Sequence, residues 1–147
     1  MRMRRIAASL STLGLLAAGA VVATAGTAQA ATSCKGFSTY ASGSATLYKP
    51  TTTNGSRNTN CLLSSGDGFS GGQQVNAVGY LQTSLNRCFG AGLAIDGMYG
   101  QATVNAVKTV QRTKGLPADG VFGPQTSKYM NWAKLAGGSG CTYGGRP

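Results

Sequence analysis

Apolar side chains recur at helical spacing in the second half of the chain. Val75, Val78, Leu81 and Leu85 predict an amphipathic helix over about 75–87, and Ala102, Ala106, Val107 and Val110 predict a second over about 101–114. Gly115 ends the second helix at a position that tolerates a left-handed backbone. Pro124 suits the first turn of a third helix, where its missing N–H has no partner to lose. Tyr129, Met130 and Ala133 supply that helix's apolar side as far as about Lys134, and a Gly-rich tail with Cys141 follows over 136–147.

Residues 31–74 lack this period and are rich in Ser, Thr, Gly and Asn. Two patches, 37–40 and 45–48, read as strands with "ASGS" as the turn between them; Pro50 and "TTTNG" end the second, and 60–63 is a third, shorter candidate. Ahead of this segment, Arg2, Arg4 and Arg5 precede an Ala/Leu/Val-rich run that closes on Ala28-Gln29-Ala30. A charged start, an apolar middle and an Ala-x-Ala end are the three parts of a secretory signal peptide. Cleavage after Ala30 leaves 117 of the 147 residues, enough for one small domain with one core. The apolar run is short for a membrane span and no second one follows, so no membrane partner is expected after cleavage.

The helical half contains an internal repeat. "AVGYLQ" at 77–82 matches "AVKTVQ" at 106–111, and "DGMYGQAT" at 96–103 matches "DGVFGPQT" at 119–126. The unit is A-V-x-x-[LV]-Q, a gap, then D-G-x-[YF]-G-x-x-T. The first gap is longer and holds Cys88 and "FGAG", an insertion that costs little closure entropy in a loop between helices. In each copy the Asp carboxylate can accept backbone N–H bonds while the following glycine takes positive φ, so Asp96-Gly97 and Asp119-Gly120 are expected as structural turns. Gly100 and Gly123 would let the chain bend into the next helix, with Thr103 and Thr126 in its first turn and close to the loop.

"AVGYLQTSLN", "LAIDGMYGQATVNAVKTVQ" and "GLPADGVFGPQT" together resemble the small three-helix peptidoglycan-binding module of bacterial cell-wall hydrolases and other exported wall proteins. The resemblance covers about 75–132. It implies a mainly α fold: a compact three-helix bundle over 75–135, with residues 31–74 as a disulfide-pinned extension of loops and short strands. It also implies a protein that holds wall peptide or glycan in a shallow groove without cutting it. Such modules commonly carry "FQ" in the second helix, where this chain has Val110-Gln111, and they usually accompany a catalytic domain. With its cysteines, the chain resembles the small stand-alone wall-binding proteins exported by high-GC Gram-positive bacteria.

Composition narrows the chemistry. The chain has no histidine, and its three acidic residues are Asp67, Asp96 and Asp119. A Ser-His-Asp triad, a Cys-His pair and a His-ligated zinc site are therefore excluded. Asp96 and Asp119 occupy identical repeat positions, whereas an acid/base pair needs environments that separate two pKa values; no catalytic residue, metal or cofactor is expected. Four cysteines, at 34, 61, 88 and 141, fit two disulfides in an exported chain. Three pairings are open, of which Cys61–Cys88 with Cys34–Cys141 is favoured because the second would tie the ends of the mature chain.

Ten of the 13 basic residues follow Ala30, a formal charge of +7 against the three aspartates. Arg87, Arg112 and Lys114 stand at helix C-termini, where they complement the helix dipole and could also pair with carboxylates of the wall polymer. Lys35, Lys49, Arg57, Lys108 and Lys128 read as scattered surface charge. Gln82 and Gln111, at one repeated position, either bond a ligand or bond loop backbone. Among the aromatics Tyr99 and Phe122 read as core, although Tyr99 stays a candidate contact; Trp132, beside Asn131 and Lys134, is expected to be partly exposed and available to a sugar ring. The expected ligand is peptidoglycan or its muropeptides, taken by a wall-associated monomer. Anionic wall polymers such as teichoic acid are the alternative partner, and nucleic acid is not expected because the aromatics are not interleaved with Lys and Arg.

Overall fold

The structure is a computed structural model that describes residues 32–137 and 140–143; the expected signal peptide and the end of the tail lie outside the described residues. The chain runs β1 (Thr32–Ser33), β2 (Gly36–Ser42), β3 (Ala45–Thr51), β4 (Cys61–Leu62), α1 (Gln73–Phe89), α2 (Gln101–Thr113), α3 (Pro124–Tyr129), β5 (Asn131–Ala133) and β6 (Cys141–Tyr143). Helices make up about a third of it and strands about a quarter, so the mainly α expectation does not hold.

Two features account for the difference. The two N-terminal strand patches form a full hairpin, β2 pairing antiparallel with β3 from Gly36↔Thr51 to Ser42↔Ala45. Pro50 lies inside β3 rather than ending it. Thr46 turns its N–H and C=O away from β2, toward Ala136 and Leu135. By the two-residue period of a strand, Pro50 faces that same outer edge, where its missing N–H removes no ladder bond. The third helix is the second feature: α3 has six residues, because Met130 takes an extended backbone (φ −78°, ψ 159°) and the next three residues pair with β6. The bundle is therefore two helices and a short third turn, closed by strands.

Helix α1 organises the core. Ala77, Val78, Leu81 and Leu85 are buried on it, against Leu47 of β3, Leu63, Val107 and Val110 of α2, Tyr99, Phe122, Met130 and Trp132. Gly90 ends the helix in the left-handed region (φ 66°), its N–H returning to the Asn86 carbonyl. The N-terminal segment contributes Cys34, Leu47, Cys61 and Leu63 to this core. Leu63 is fully buried and exchanges two backbone bonds of 2.8 Å with Phe122; the Tyr99 N–H donates to the Asp67 carbonyl at 2.8 Å, and the Gly66 N–H to the Tyr99 carbonyl at 3.1 Å.

The disulfides are Cys34–Cys61 and Cys88–Cys141, which corrects the favoured pairing of Cys61–Cys88 with Cys34–Cys141. Parallel pairing of β1 with β4, in the register Thr32↔Cys61, sets Cys34 beside Cys61. Cys88, in the last turn of α1, instead anchors β6. The two bridges differ in access: Cys34 and Cys61 are completely buried, whereas Cys141 is exposed. Under a mild reductant without denaturant, alkylation and mass spectrometry are expected to label Cys88 and Cys141 while Cys34 and Cys61 stay paired. Simultaneous labelling of all four would contradict this packing.

Candidate functional site

Both copies of the repeat are built around a buried glutamine. In the first, Gln82 Nε2 donates to Asp96 Oδ1 (2.8 Å), the Met98 carbonyl (3.0 Å) and Thr103 Oγ1 (3.3 Å), while Gln82 Oε1 accepts the Gly97 N–H (2.9 Å). In the second, Gln111 Nε2 donates to Asp119 Oδ1 (2.7 Å), the Val121 carbonyl (3.0 Å) and Thr126 Oγ1 (3.2 Å), and Gln111 Oε1 accepts the Gly120 N–H (2.9 Å). Each carboxylate also accepts the N–H two residues on, from Met98 at 2.9 Å and Val121 at 2.8 Å. The glycines are required twice over. Gly97 (φ 72°) and Gly120 (φ 76°) are left-handed, and a β-carbon would collide with Val75 at the first and Val104 at the second. Gly100 and Gly123, by contrast, are extended N-caps of α2 and α3. A side chain at Gly123 would press on Leu62 at 2.8 Å.

A third clamp of the same kind lies in the segment read as a loop. Asp67-Gly68-Phe69-Ser70-Gly71 is another D-G-x-x-G, and its glutamine follows it instead of preceding it. Gln74 Nε2 donates to Asp67 Oδ1 (2.9 Å), and the Gly68 N–H donates to Gln74 Oε1 (3.1 Å). The turn abuts the first repeat loop so closely that a β-carbon on Gly68 would overlap the Gly97 carbonyl. The short D-G-x-x-G is legible in the sequence, but its glutamine follows the turn and so departs from the order of the other two copies. The residue after each Asp-Gly pair sits at the turn's tip, and two of these are exposed apolar side chains, Phe69 (60%) and Met98 (38%).

The clamps decide the fate of the candidate ligand contacts. Gln82 and Gln111 are buried and saturated by the loops, so they bond loop backbone and side chains, not a ligand. Tyr99 is also buried; its hydroxyl donates to the Gly120 carbonyl (2.9 Å), tying the first loop to the second, and burial pushes the phenol above its ordinary 10.0. Trp132 is fully buried rather than partly exposed, since β5 turns it inward. Its indole N–H donates to the Ser127 carbonyl (3.0 Å) and its ring meets Phe122 edge-on. Lys49, expected on the surface, is buried with its ammonium 5.2 Å from the Tyr40 ring centre and 5.4 Å from that of Trp132, and desolvation lowers its pKa. Arg87 and Arg112 are exposed. Arg87 donates to the Lys134 carbonyl (3.2 Å), and Lys114 lies 6.0 Å from the Phe89 ring and 5.8 Å from that of Tyr143, so these two gather near the C-terminal end of α1.

A groove of about 290 Å³ runs between α1 and the first repeat loop, lined by Val75, Asn76, Gly79, Tyr80, Thr83, Ile95, Asp96 and Gly97. Val75, Gly79 and Thr83 are four apart and form one helical stripe, with Asn76 and Tyr80 beside it. None of these helix residues was singled out from the sequence as a contact. The available signal was Gly79, a glycine inside a helix, where it costs about 1 kcal/mol relative to alanine without an evident turn to make. A β-carbon there would meet only Ile95 Cγ2, at 3.9 Å. Ile95 is 58% exposed. Tyr80 is held from behind: its ring stacks on Tyr48 at 4.5 Å and 16°, and Phe37 packs against both. Asp96 is the groove's one charged lining group. The Gln82 amide, then the Met98 N–H, hold its carboxyl below the ordinary 3.8.

The glutamine clamp is thus repeated twice in one small module, with the groove beside its first copy. Residues 74–130 match the family described as "Putative peptidoglycan binding domain", and this part of the chain is a domain of that family. Over nearly its whole length it is similar to "Uncharacterized protein in bpoA1 3'region" of Kitasatospora aureofaciens, 37% identical over 133 residues, 87% of each chain. It is 47% identical over 53 residues to the "Zinc D-Ala-D-Ala carboxypeptidase" of Streptomyces albus G, 36% of this chain and 18% of that one. It is 34% identical over 95 residues to "N-acetylmuramoyl-L-alanine amidase CwlL" of Bacillus licheniformis, 60% of this chain and 24% of that one. The chain thus spans a quarter or less of the two enzymes' lengths. No solved structure matches it.

Gln82→Leu and Gln111→Leu keep bulk but strand the turn's donors and acceptors. In urea denaturation each is expected to cost about 1–3 kcal/mol, against about 0.5 kcal/mol or less for Gln101→Leu on the exposed start of α2. Because the Asp96 pKa is depressed in the folded state, the stability it contributes is complete above its ordinary 3.8 and is lost as pH falls below that value. The stability difference between wild type and Asp96→Asn should accordingly shrink in acid; a difference that stays constant down to pH ~2 would contradict the assignment.

Proposed function

We propose that this is an exported, wall-associated, non-catalytic protein that binds peptidoglycan in the groove between α1 and the first repeat loop. The observation that carries this reading is the groove itself, an accessible concavity with a preset aromatic wall on the matched family's helix-loop unit. Peptidoglycan chemistry appears in the names of the amidase and the carboxypeptidase, and the part of each that aligns here is a small fraction of the enzyme. Asp96 and Asp119 each hold a turn through Oδ1 in the same way, so the two carboxylates are not set apart as an acid/base pair, which supports binding over hydrolysis. The N-terminal signal pattern supports export.

A second reading, capture of anionic wall polymers, has its own observation in the cations Arg87 and Lys114 near the end of α1. Salt separates the two. Charge-driven retention falls steeply above ~0.15 M, where the Debye length is about 8 Å, and groove binding falls less.

Sedimentation with purified insoluble peptidoglycan tests the proposal. Gly79→Leu adds a side chain on the groove from a position where a β-carbon makes one ordinary contact, with Ile95, and improves helix propensity, so the fold should persist. Wild type is expected in the pellet at moderate salt and Gly79→Leu in the supernatant, with Arg87→Ala behaving like wild type. A wild type that fails to sediment sinks the function; a Gly79→Leu that sediments equally well sinks the groove as its site.

A further inference from the structure

We infer that the groove takes the glycan backbone of the wall polymer, through an N-acetylated hexosamine, and not the peptide stem. This rests on the proposed function and specifies its ligand. Charge decides between the two parts of the polymer. A stem peptide presents carboxylates, and the groove offers them no cation: among its lining residues the only charge is the Asp96 carboxylate. Arg87, Arg112 and Lys114, the side chains suited to carboxylates, do not line it.

A neutral, hydroxyl-rich ring with an acetamido group fits what is there. Tyr80 offers an aromatic face, immobilised by Tyr48 and Phe37, against which the CH face of a sugar can lie at little entropic cost. Val75 and Ile95 offer apolar surface to an acetyl methyl. The clamp engages Asp96 through Oδ1, and Oδ2 takes no part in it, leaving an acceptor for sugar hydroxyls. Asn76 donates through Nδ2 to Gln73, and its carbonyl oxygen takes no part in that bond, which suits the N–H of the acetamide. Gly79 keeps the floor low enough for a ring to enter. Outside the groove the first and third turns touch, Gly68 pressing against Gly97 and Met98, and the residue after each of these Asp-Gly pairs, Phe69 and Met98, is an exposed apolar side chain.

The test is a ¹H–¹⁵N NMR titration of the oxidised chain with two probes at millimolar concentration: an N-acetylglucosamine tetramer without peptide, and a stem pentapeptide without sugar. The tetramer is expected to shift Gly79, Tyr80, Ile95 and Gly97 saturably and with little salt dependence, while the pentapeptide leaves them unmoved. Gly79→Leu should weaken the tetramer at least tenfold with the remaining spectrum intact. Shifts of these amides by the pentapeptide instead would overturn the inference and leave peptidoglycan binding standing. So would silence toward the tetramer from a protein whose sedimentation with whole peptidoglycan is lost in Gly79→Leu. Silence toward both probes together with no sedimentation would overturn the inference and the proposed function alike.

Discussion

A buried primary amide holding an Asp-Gly turn is the interaction on which the rest of this structure depends. Glutamine presents two N–H donors and a carbonyl acceptor in one plane, and each repeat uses all three at once, on a carboxylate, a glycine N–H, a backbone carbonyl and a threonine hydroxyl. Glutamate at the same place would bring a second negative charge to the aspartate and lose the donors. Because the amide is buried, leaving any partner unmade costs the full desolvation of that group, so the turn is held as firmly as the core around it. The aromatic that follows each turn is thereby delivered to the interior, Tyr99 in one copy and Phe122 in the other.

The same constraint explains why the N-terminal segment is part of the module. With Tyr99 and Phe122 fixed, their backbone groups form an edge, and residues 63–67 pair along it. The third clamp, Asp67-Gly68 with Gln74, then locks that strip to the start of α1 and packs it against Gly97. Cys34–Cys61 staples the strip from below, and β2 and β3 bring Phe37 and Tyr48 behind Tyr80. The groove is therefore shaped from both sides, by a repeat loop in front and a hairpin behind. A chain lacking the hairpin would leave Tyr80 free to turn away.

Much of this was legible in the residues. Periodicity locates α1 and α2 to within two residues at each end, the repeat identifies both turns, and the two strand patches lie inside β2 and β3, the second strand running past its expected end through Pro50 to Thr51. The errors have physical causes. Helical spacing takes in Tyr129, Met130 and Ala133, but Cys141 lies only eight positions beyond Ala133 and its bond to Cys88 draws the tail back as a strand partner. The disulfides were assigned by chain ends, whereas a two-residue parallel pairing, invisible in composition, sets Cys34 next to Cys61. From the sequence, Gln82 and Gln111 are open between a ligand and loop backbone, because an amide suits both. Gln82 and Gln111, each the last residue of the repeated A-V-x-x-[LV]-Q ahead of an Asp-Gly turn, mark a structural bond instead, and the groove depends on Gly79 and Tyr80, where the second copy has Lys108 and Thr109.

Binding here asks little of conformational change, since the aromatic wall, the floor glycine and the turn are all set by bonds that exist without a ligand. That preorganisation rests on the clamp, and native-state hydrogen exchange reads the clamp directly. The Gly97 and Gly120 amides sit in loops, yet each donates to a buried glutamine carbonyl. They are predicted to exchange as slowly as the interior amides of α1, with protection lost selectively at Gly97 in Gln82→Leu and at Gly120 in Gln111→Leu. Exchange of both glycines at the rate of an open loop in the wild-type protein would contradict the account.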